Sequence, residues 1–588
     1  MPRLAGKNFV PARQTRRGRA QSKPIETVIR MTDKRWSKRW NESTLLVGLA
    51  GAVLLWSAFP PLNLWPLAWV APVFWVWLVQ REQLPGSRLY WTLYLVGLLH
   101  WLAVIHWVRL PHWSAYFGWL ALSLYLGCYL PAFVGLSRLT VRALRVPIWL
   151  AVPSVWCALE WVRGYAFTGF SLALIGHTQI PFLPFVQFAD LVGACGVSWV
   201  MLMVSCGLAS ALPNPAGQRT WTPLVLSLVL VLAASVYGSL RLARFDTEAS
   251  GETVKVALIQ GCIDTTFDSD EDPNEAFGQY LNLSRQVVRQ HPNIDLIVWP
   301  ESMFTATLPW IDVVGSAQPP AGAEYSPEEF DRYLNEMTKA TQYKAESVAQ
   351  ELGTSLLVGT ACVQYRGARK HLFNSALWLD QSGQLQGRYD KMHPVMFGEY
   401  VPFGEMIPWL YSLTPMHKGL TAGQQPVAVE LRGLILSPCI CFENTVPQLL
   451  RSQVRQLDSE GHDPDVLVTI TNDGWFWGSA LLDVHLACGV FRAIELRRPM
   501  LIAANTGFSA WVDASGKVLD KGPRRDTGSV IVELPVEPLT KSRGSSVYLQ
   551  VGDLFSWLCV GLCMSALAVA GNSRWRRAMA EPGSAQSS

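Results

Sequence analysis

Eight apolar runs constrain this chain more than any other feature of its sequence. Seven fall near residues 44–58, 63–80, 88–108, 114–137, 148–163, 187–211 and 221–240, and the eighth follows a long gap, near 550–571. Runs of this kind approach the ~20 apolar residues that a helix needs to cross a bilayer. Seven spans, a long soluble segment and one closing span are therefore expected. The composition agrees: half of the 588 residues are hydrophobic, 16% are charged and 26 are Trp, too apolar a balance for an ordinary soluble protein.

Charge between the runs sets an orientation. Residues 1–43 carry twelve Lys/Arg against three Asp/Glu, so with +4 overall the remainder is near −5. Arg81 and Arg88 lie between the second and third runs, Arg138, Arg142 and Arg145 between the fourth and fifth, and Arg219 between the sixth and seventh. The first opposite loop, "FPPLNLWP", has no charge. Basic loops stay in the cytoplasm, so both termini are expected there and residues 241–548 on the other side. The basic arm also suits nucleic acid, but beside an apolar helix it reads as positive-inside anchoring, and no nucleic-acid partner is expected. Its length argues for a retained, disordered segment rather than a cleaved signal peptide. The expected division is a cytoplasmic arm (1–43), a seven-helix membrane domain (44–240), an extracytoplasmic domain (241–548), a last span (549–572) and a cytoplasmic tail (573–588).

Six of the eleven cysteines fall in the runs (Cys128, Cys157, Cys195, Cys206, Cys559 and Cys563). The other five, Cys262, Cys362, Cys439, Cys441 and Cys488, form no CxxC pair and no zinc-like Cys/His spacing, so neither a metal nor a disulfide framework is expected. No cofactor is implied. Glu160 and Arg163, at i and i+3 near the outer end of the fifth run, are expected to form a local ion pair, with a lipid head-group contact as the sharper alternative. The Gly- and Pro-broken "FTGFSLALIGHTQIPFLPF" is expected on the outer leaflet, beside a site that admits lipid.

The soluble segment alternates β-rich runs ("VKVALIQG", "DLIVWPE", "SLLVGTACV", "FNSALWLD", "LILSPCI", "DVLVTITND", "PMLIAANTG") with helical stretches near 274–290, 325–352, 446–457 and 482–496. That pattern describes an α/β domain. Residues 303–345, with "SAQPPAGAEYSPEEF", read as a long loop or lid.

Polar residues recur where the strands end, which is where α/β folds place function. "DLIVWPES" delivers Glu301, "GRYDKMHPVMFGEYVPFGE" delivers Lys391 and Glu399, "LILSPCICFEN" delivers Cys441 and Glu443, and "TITNDGWFWG" delivers Asn472, Asp473 and Trp475. Each has an ordinary reading alone: a cap, a solvated lysine, a small buried thiol. Together they make a reactive set. A cysteine attacks as thiolate, and a nearby cation lowers its pKa from about 8.5. Lys391 supplies such a cation and an oxyanion partner, while Glu301 can take the thiol proton and return it. Acyl transfer through a thioester follows. Cys439 and Cys441 would share a face of an extended strand. Position favours Cys441, at the end of the run and before a helix N-terminus.

Glu301, Lys391 and Cys441 occur in the order and strand-end contexts of the Glu-Lys-Cys triad of the nitrilase superfamily. With "SAFPPLNLWPLAWVAP", "EWVRGYAFTGF", "FGEYVPFGE", "CICFEN", "NDGWF" and "RAIELRRPMLIAANTGFSA", the chain resembles the apolipoprotein N-acyltransferases over most of its length. The resemblance implies a multi-pass protein of the bacterial inner membrane, with an αββα nitrilase-like domain in the periplasm; a monomer is expected, although the sequence itself is silent on oligomeric state. It implies a phospholipid acyl donor and the N-terminal amino group of a diacylglyceryl lipoprotein as acceptor. Carried over, Cys441 is the nucleophile, Glu301 the base and Lys391 the oxyanion stabiliser. Glu399 and Glu443 match acidic positions that support the site, Trp475 resembles a substrate-facing aromatic and equally fits the core, and Asn472 is a further supporting or substrate-binding candidate. Three departures stand out: Phe442 where Tyr is usual, "HPVMFGEYVP" for "HLVPFGEYVP", and Cys262 where Asn is common. Two other readings remain, a membrane-anchored amidase acting on a small C–N substrate and a transporter or scaffold with a degenerate domain. The intact triad, the lack of an internal repeat and the few intramembrane charges weigh against the second.

Overall fold

The computed structural model describes residues 43–82, 88–213, 219–245, 251–265, 273–306, 308–319, 325–414, 418–536 and 546–580. The basic arm and the end of the tail lie outside them.

Helices occupy all eight expected intervals: Thr44–Ala58, Leu67–Gln80, Leu89–Val104, Ala115–Gly127 with Tyr129–Leu144, Ile148–Tyr165, Ala189–Ala211, Thr222–Leu242 and Leu554–Ala580. Among the described residues, Ala115–Leu144, Ala189–Ala211, Thr222–Leu242 and Leu554–Asn572 are long and apolar enough to cross a membrane. Thr44–Ala58, Leu67–Gln80 and Leu89–Val104 are apolar but shorter, and Ile148–Tyr165 carries two ionisable side chains, Glu160 and Arg163. Leu95, Leu99, Val225, Val229 and Leu232 are exposed on the outside of the bundle, as residues that meet lipid would be. The last carbonyls of Leu67–Gln80, orphaned by helix geometry, accept from Arg138, whose Nη1 lies 3.0 Å from the Leu78 oxygen and 3.3 Å from that of Val79.

The soluble part contains thirteen described strands: β1 (Thr253–Gln260), β2 (Leu296–Trp299), β3 (Trp310–Ala317), β4 (Ser355–Gly367), β5 (Arg369–Leu379), β6 (Leu385–Asp390), β7 (Val429–Leu431), β8 (Leu434–Ile440), β9 (Val466–Thr471), β10 (Met500–Ala504), β11 (Ala510–Val512), β12 (Val518–Lys521) and β13 (Gly528–Pro535). One sheet runs β13-β1-β2-β4-β5-β6, with β3 also beside β4, and the other runs β12-β11-β10-β9-β8-β7. The central strands of each are parallel and buried on both faces, which is why they read as unbroken apolar runs rather than alternating ones.

Four layers result. Val256, Leu258 and Val298 of the first sheet pack on Leu436, Val468 and Leu501 of the second. The outer face of the first sheet meets the helices Pro273–Gln290 and Pro327–Leu352 through Trp299, Tyr280 and Ala345. The outer face of the second meets Pro447–Ser459 and Leu481–Leu496, and that core continues into the membrane bundle: Cys439, Leu450, Phe491 and Met500 share one cluster with Phe185, Val197 and Met201. This is the expected αββα arrangement, fused to the bundle along one helical layer.

Polar groups also cross that junction. Asp190, at the start of Ala189–Ala211, accepts from Arg497 Nη2 at 2.7 Å and lies 2.9 Å from Arg241 Nη2, and Arg497 Nη1 donates to Gln187 Oε1 at 2.8 Å. Both Asp190 and Arg497 are at most 1% exposed, so the pair holds only because each group is matched by hydrogen bonds.

Three expectations change. Residues 303–345 are not one long loop: β3 forms there and pairs in parallel with β4, and the helix Pro327–Leu352 begins at a Ser326–Glu329 capping box. The segment 170–179 is buried between bundle and domain rather than lying on the outer leaflet, because Gly176 and His177 pack on Ser198 and Phe491. Glu160 and Arg163 do not form the local ion pair. Glu160 instead accepts from the Ile175 amide at 3.1 Å, while Arg163 donates to the Ala173 oxygen and sits over the Trp101 ring.

Candidate active site

Five parallel or edge strands deliver their polar successors to one place. Glu301 follows β2, Lys391 follows β6, Cys441 follows β8, Asn472 follows β9 and Asn505 follows β10. Four come from buried strands whose ends can carry a polar group only if it finds partners, and the partners are one another.

Lys391, 2% exposed, is not a solvated lysine. Its ammonium lies 2.8 Å from Glu399 Oε1 and 3.3 Å from Glu301 Oε1. Asn374, from inside β5, donates to the same two carboxylates, at 2.6 Å to Glu301 and 3.2 Å to Glu399. The Asn472 amide donates to Glu301 Oε2 at 2.9 Å, and Glu399 Oε2 accepts from the Val395 amide at 2.8 Å. Burial pushes the Lys391 ammonium toward losing its proton, but Glu301 and Glu399 outweigh it, and its pKa ends well above the usual lysine value. The cation is permanent at any physiological pH.

Cys441 does not share a face with Cys439, contrary to the alternation of an extended strand. β8 ends at Ile440, and Cys441 opens a short 3-10 turn, Cys441–Thr445, with φ +54°. A non-glycine residue in the left-handed region is strained and held there by its surroundings. Cys439 stays in the core, 1% exposed, its Sγ 3.1 Å from Thr469 Oγ1. Cys441 is half-buried. Burial and the Glu301 charge raise its thiol well above the ordinary range, with Lys391 pulling the other way. Burial thus favours the protonated thiol over the thiolate at Cys441.

Glu443 holds the turn. Fully buried, it accepts from the Ile440, Met392 and His393 amides at 2.6, 2.7 and 3.0 Å and from the Tyr389 hydroxyl at 2.8 Å. It thereby ties the Cys441 turn to the chain just after Lys391. Burial raises its carboxyl, and these donors partly oppose the rise.

Asn472 links the strand ends by hydrogen bonds. Its Oδ1 accepts from Gly474 N at 3.1 Å and Asn505 Nδ2 at 2.8 Å. Trp475 is half-buried in the following turn, Asp473–Phe476. Beyond the residues expected to act, the structure adds Asn374, Asn505 and His485. Asn374 was visible only as a polar interruption in "LFNSALWL". His485 lies in the helix Leu481–Leu496, where a lone histidine carries no sequence signal of its own.

Two family profiles match the chain: the apolipoprotein N-acyltransferase N-terminal domain over residues 51–207 and carbon-nitrogen hydrolase over 255–543. The apolipoprotein N-acyltransferase of Rhodopirellula baltica is 32% identical over 86% of this chain and 93% of its own length. That of Geobacter metallireducens is 30% identical over 88% and 93%. Among solved structures, a nitrilase-superfamily amidase from Nesterenkonia aligns with 16% identity and a TM-score of 0.33, over 49% of this chain and 94% of the amidase.

Proposed function

Because the chain belongs to the apolipoprotein N-acyltransferase family, we propose that Cys441 takes an acyl chain from a phospholipid as a thioester and passes it to a lipoprotein's N-terminal diacylglyceryl-cysteine. The enzyme is an acyltransferase within the carbon-nitrogen hydrolase superfamily. In the first half-reaction Glu301 accepts the thiol proton as Sγ attacks the ester carbonyl. The oxyanion faces the Lys391 ammonium and the Phe442 N–H, which lies in the first turn after Cys441 and so has no acceptor within it. Collapse expels the lysophospholipid, which leaves with the proton from Glu301. In the second, the neutral α-amine attacks the thioester, Glu301 takes its proton, and the thiol is regenerated by return of that proton.

The reading rests on one observation above all: a carboxylate, a permanently charged lysine and a strained cysteine converge at strand ends of two sheets. The loop charges support eight crossings, an inner-membrane location and a periplasmic domain, and nothing in the site calls for a second subunit. A membrane-anchored amidase would use the same triad, but it gives the bundle fused to the domain no task.

The purified protein in detergent, incubated with a phospholipid of defined chain, should gain one acyl mass on the peptide bearing Cys441. Hydroxylamine should remove it, and Cys441→Ala should never acquire it. A wild-type protein that stays unmodified defeats the thioester. Adding a diacylglyceryl-cysteine peptide should then yield an amide; release of free fatty acid alone would favour the hydrolase.

A further inference from the structure

Behind the nucleophile's turn lies a buried pair to which the mechanism above gives no task. His485 and Asp473 are 5% and 3% exposed. The imidazole Nδ1 lies 2.9 Å from Asp473 Oδ1 and Nε2 lies 3.1 Å from the carbonyl oxygen of Cys441. The Cys441 carbonyl can only accept, so Nε2 carries hydrogen, and an imidazolium donating from both ring nitrogens satisfies both contacts. The electrostatics agree: burial opposes the cation, but Asp473 and the Cys441 carbonyl overcome it and raise the histidine above its usual value. Asp473 is fixed in turn by the Thr471 hydroxyl at 3.1 Å, and it presses on Gly507, where a Cβ would come within 2.2 Å of Oδ2.

The Cys441 carbonyl and the Phe442 N–H belong to one peptide group. A charged donor on the oxygen draws electron density across that amide and makes its N–H a stronger donor. We propose that Asp473 and His485 are positioning residues that polarise the Cys441–Phe442 peptide, and so set how strongly its N–H stabilises the tetrahedral oxyanion. The proposal rests on Cys441 being the acylated nucleophile.

Two reactions of the same thiol separate this role from mere support of the turn. Acylation passes through an oxyanion; alkylation by iodoacetamide is a direct displacement and does not. His485→Gln keeps a neutral donor within reach of the carbonyl, and Asp473→Asn leaves the histidine a neutral partner. Each should slow acyl-enzyme formation by roughly tenfold to a hundredfold, below the ~10²–10³ of losing a whole oxyanion donor. His485→Ala should fall further, with Gln as its partial rescue. Alkylation of Cys441 should stay within about threefold of wild type in all three. Acylation and alkylation falling together would show a purely structural role and overturn the proposal, as would unchanged acylation in His485→Gln and Asp473→Asn. Failure of the underlying reading looks different, because wild type would then be alkylated but never acylated.

Discussion

Glu443→Gln removes a charge while keeping a shape, and its cost can be worked from four hydrogen bonds. Oε1 serves the Met392 and His393 amides, and Oε2 serves the Ile440 amide and the Tyr389 hydroxyl. A glutamine has one acceptor oxygen. If it stays with Met392 and His393, the NH2 opposes the Ile440 N–H, while the Tyr389 hydroxyl can turn to accept. One buried N–H is then orphaned, at about 1–3 kcal/mol, and the two surviving bonds each lose roughly 1 kcal/mol of charge assistance. The opposite rotamer orphans two amides and is worse. Relief of the buried charge, which already raises the Glu443 carboxyl, returns part of this. A net loss of about 2–4 kcal/mol remains, acting where Cys441 must stay in register with Lys391. Misplacement on the order of 1 Å costs ~10²-fold in rate. N-acyl transfer to a diacylglyceryl-cysteine peptide, followed by mass spectrometry under single-turnover conditions, should therefore slow about 100-fold. A variant within about threefold of wild type would show that Glu443 does not hold the turn.

The buried junction predicts a second loss: Asp190→Ala leaves Arg497 uncompensated at 0% exposure, which should cost about 3–5 kcal/mol and lower the thermal midpoint in detergent. An unchanged midpoint would mean that the apolar layer alone secures the domain. Cys439→Ala should keep acylation on Cys441 and lose only ~1–2 kcal/mol of packing, so loss of the adduct in that variant would reverse the assignment of the two cysteines. Glu495, which accepts from the Ala194 amide at 2.8 Å, has its carboxyl pushed up to about 7 by burial against the pull of Arg492. A raised acid favours the folded state when protonated, so this contribution is full below the ordinary glutamate value and is lost as pH rises through about 7. Thermal midpoints should fall between pH 5 and 8 more steeply in wild type than in Glu495→Gln; equal slopes would place the titration elsewhere.

What the sequence made legible follows from where its signals are local. Apolar runs closed by Glu301, Cys441 and Asn472 could be read because a buried strand announces its own end, whereas Lys391 follows the polar, partly exposed edge strand β6. Asn374 and His485 could not, since each matters only through partners distant in sequence: Glu399 lies 25 residues from Asn374, and Cys441 lies 44 from His485. Alternation failed at Cys441 for a different reason. Period-two reasoning assumes β geometry, and the residue that leaves the strand at φ +54° has left that rule behind. At 303–345, Pro- and Gly-rich composition around 318–322 drew attention away from the short β-favouring run "WIDVV", which forms β3 and pairs with β4.

On the proposed function, the shared helical layer bears on transfer against hydrolysis. A thioester beside a general base lasts until the amine arrives only if that base has no water to activate. Gln448, at the start of the helix that follows the Cys441 turn, donates to the Gly164 carbonyl at the C-terminal end of Ile148–Tyr165. The same helix and Leu481–Leu496 belong to one apolar cluster with the bundle. The Cys441 turn is thus mounted on the layer that packs against the bundle. Loosening that layer should then raise hydrolysis of the acyl-enzyme relative to transfer. With preformed acyl-enzyme, Gln448→Ala should release more free fatty acid per amide formed than wild type, and an unchanged ratio would refute the link between docking and water exclusion.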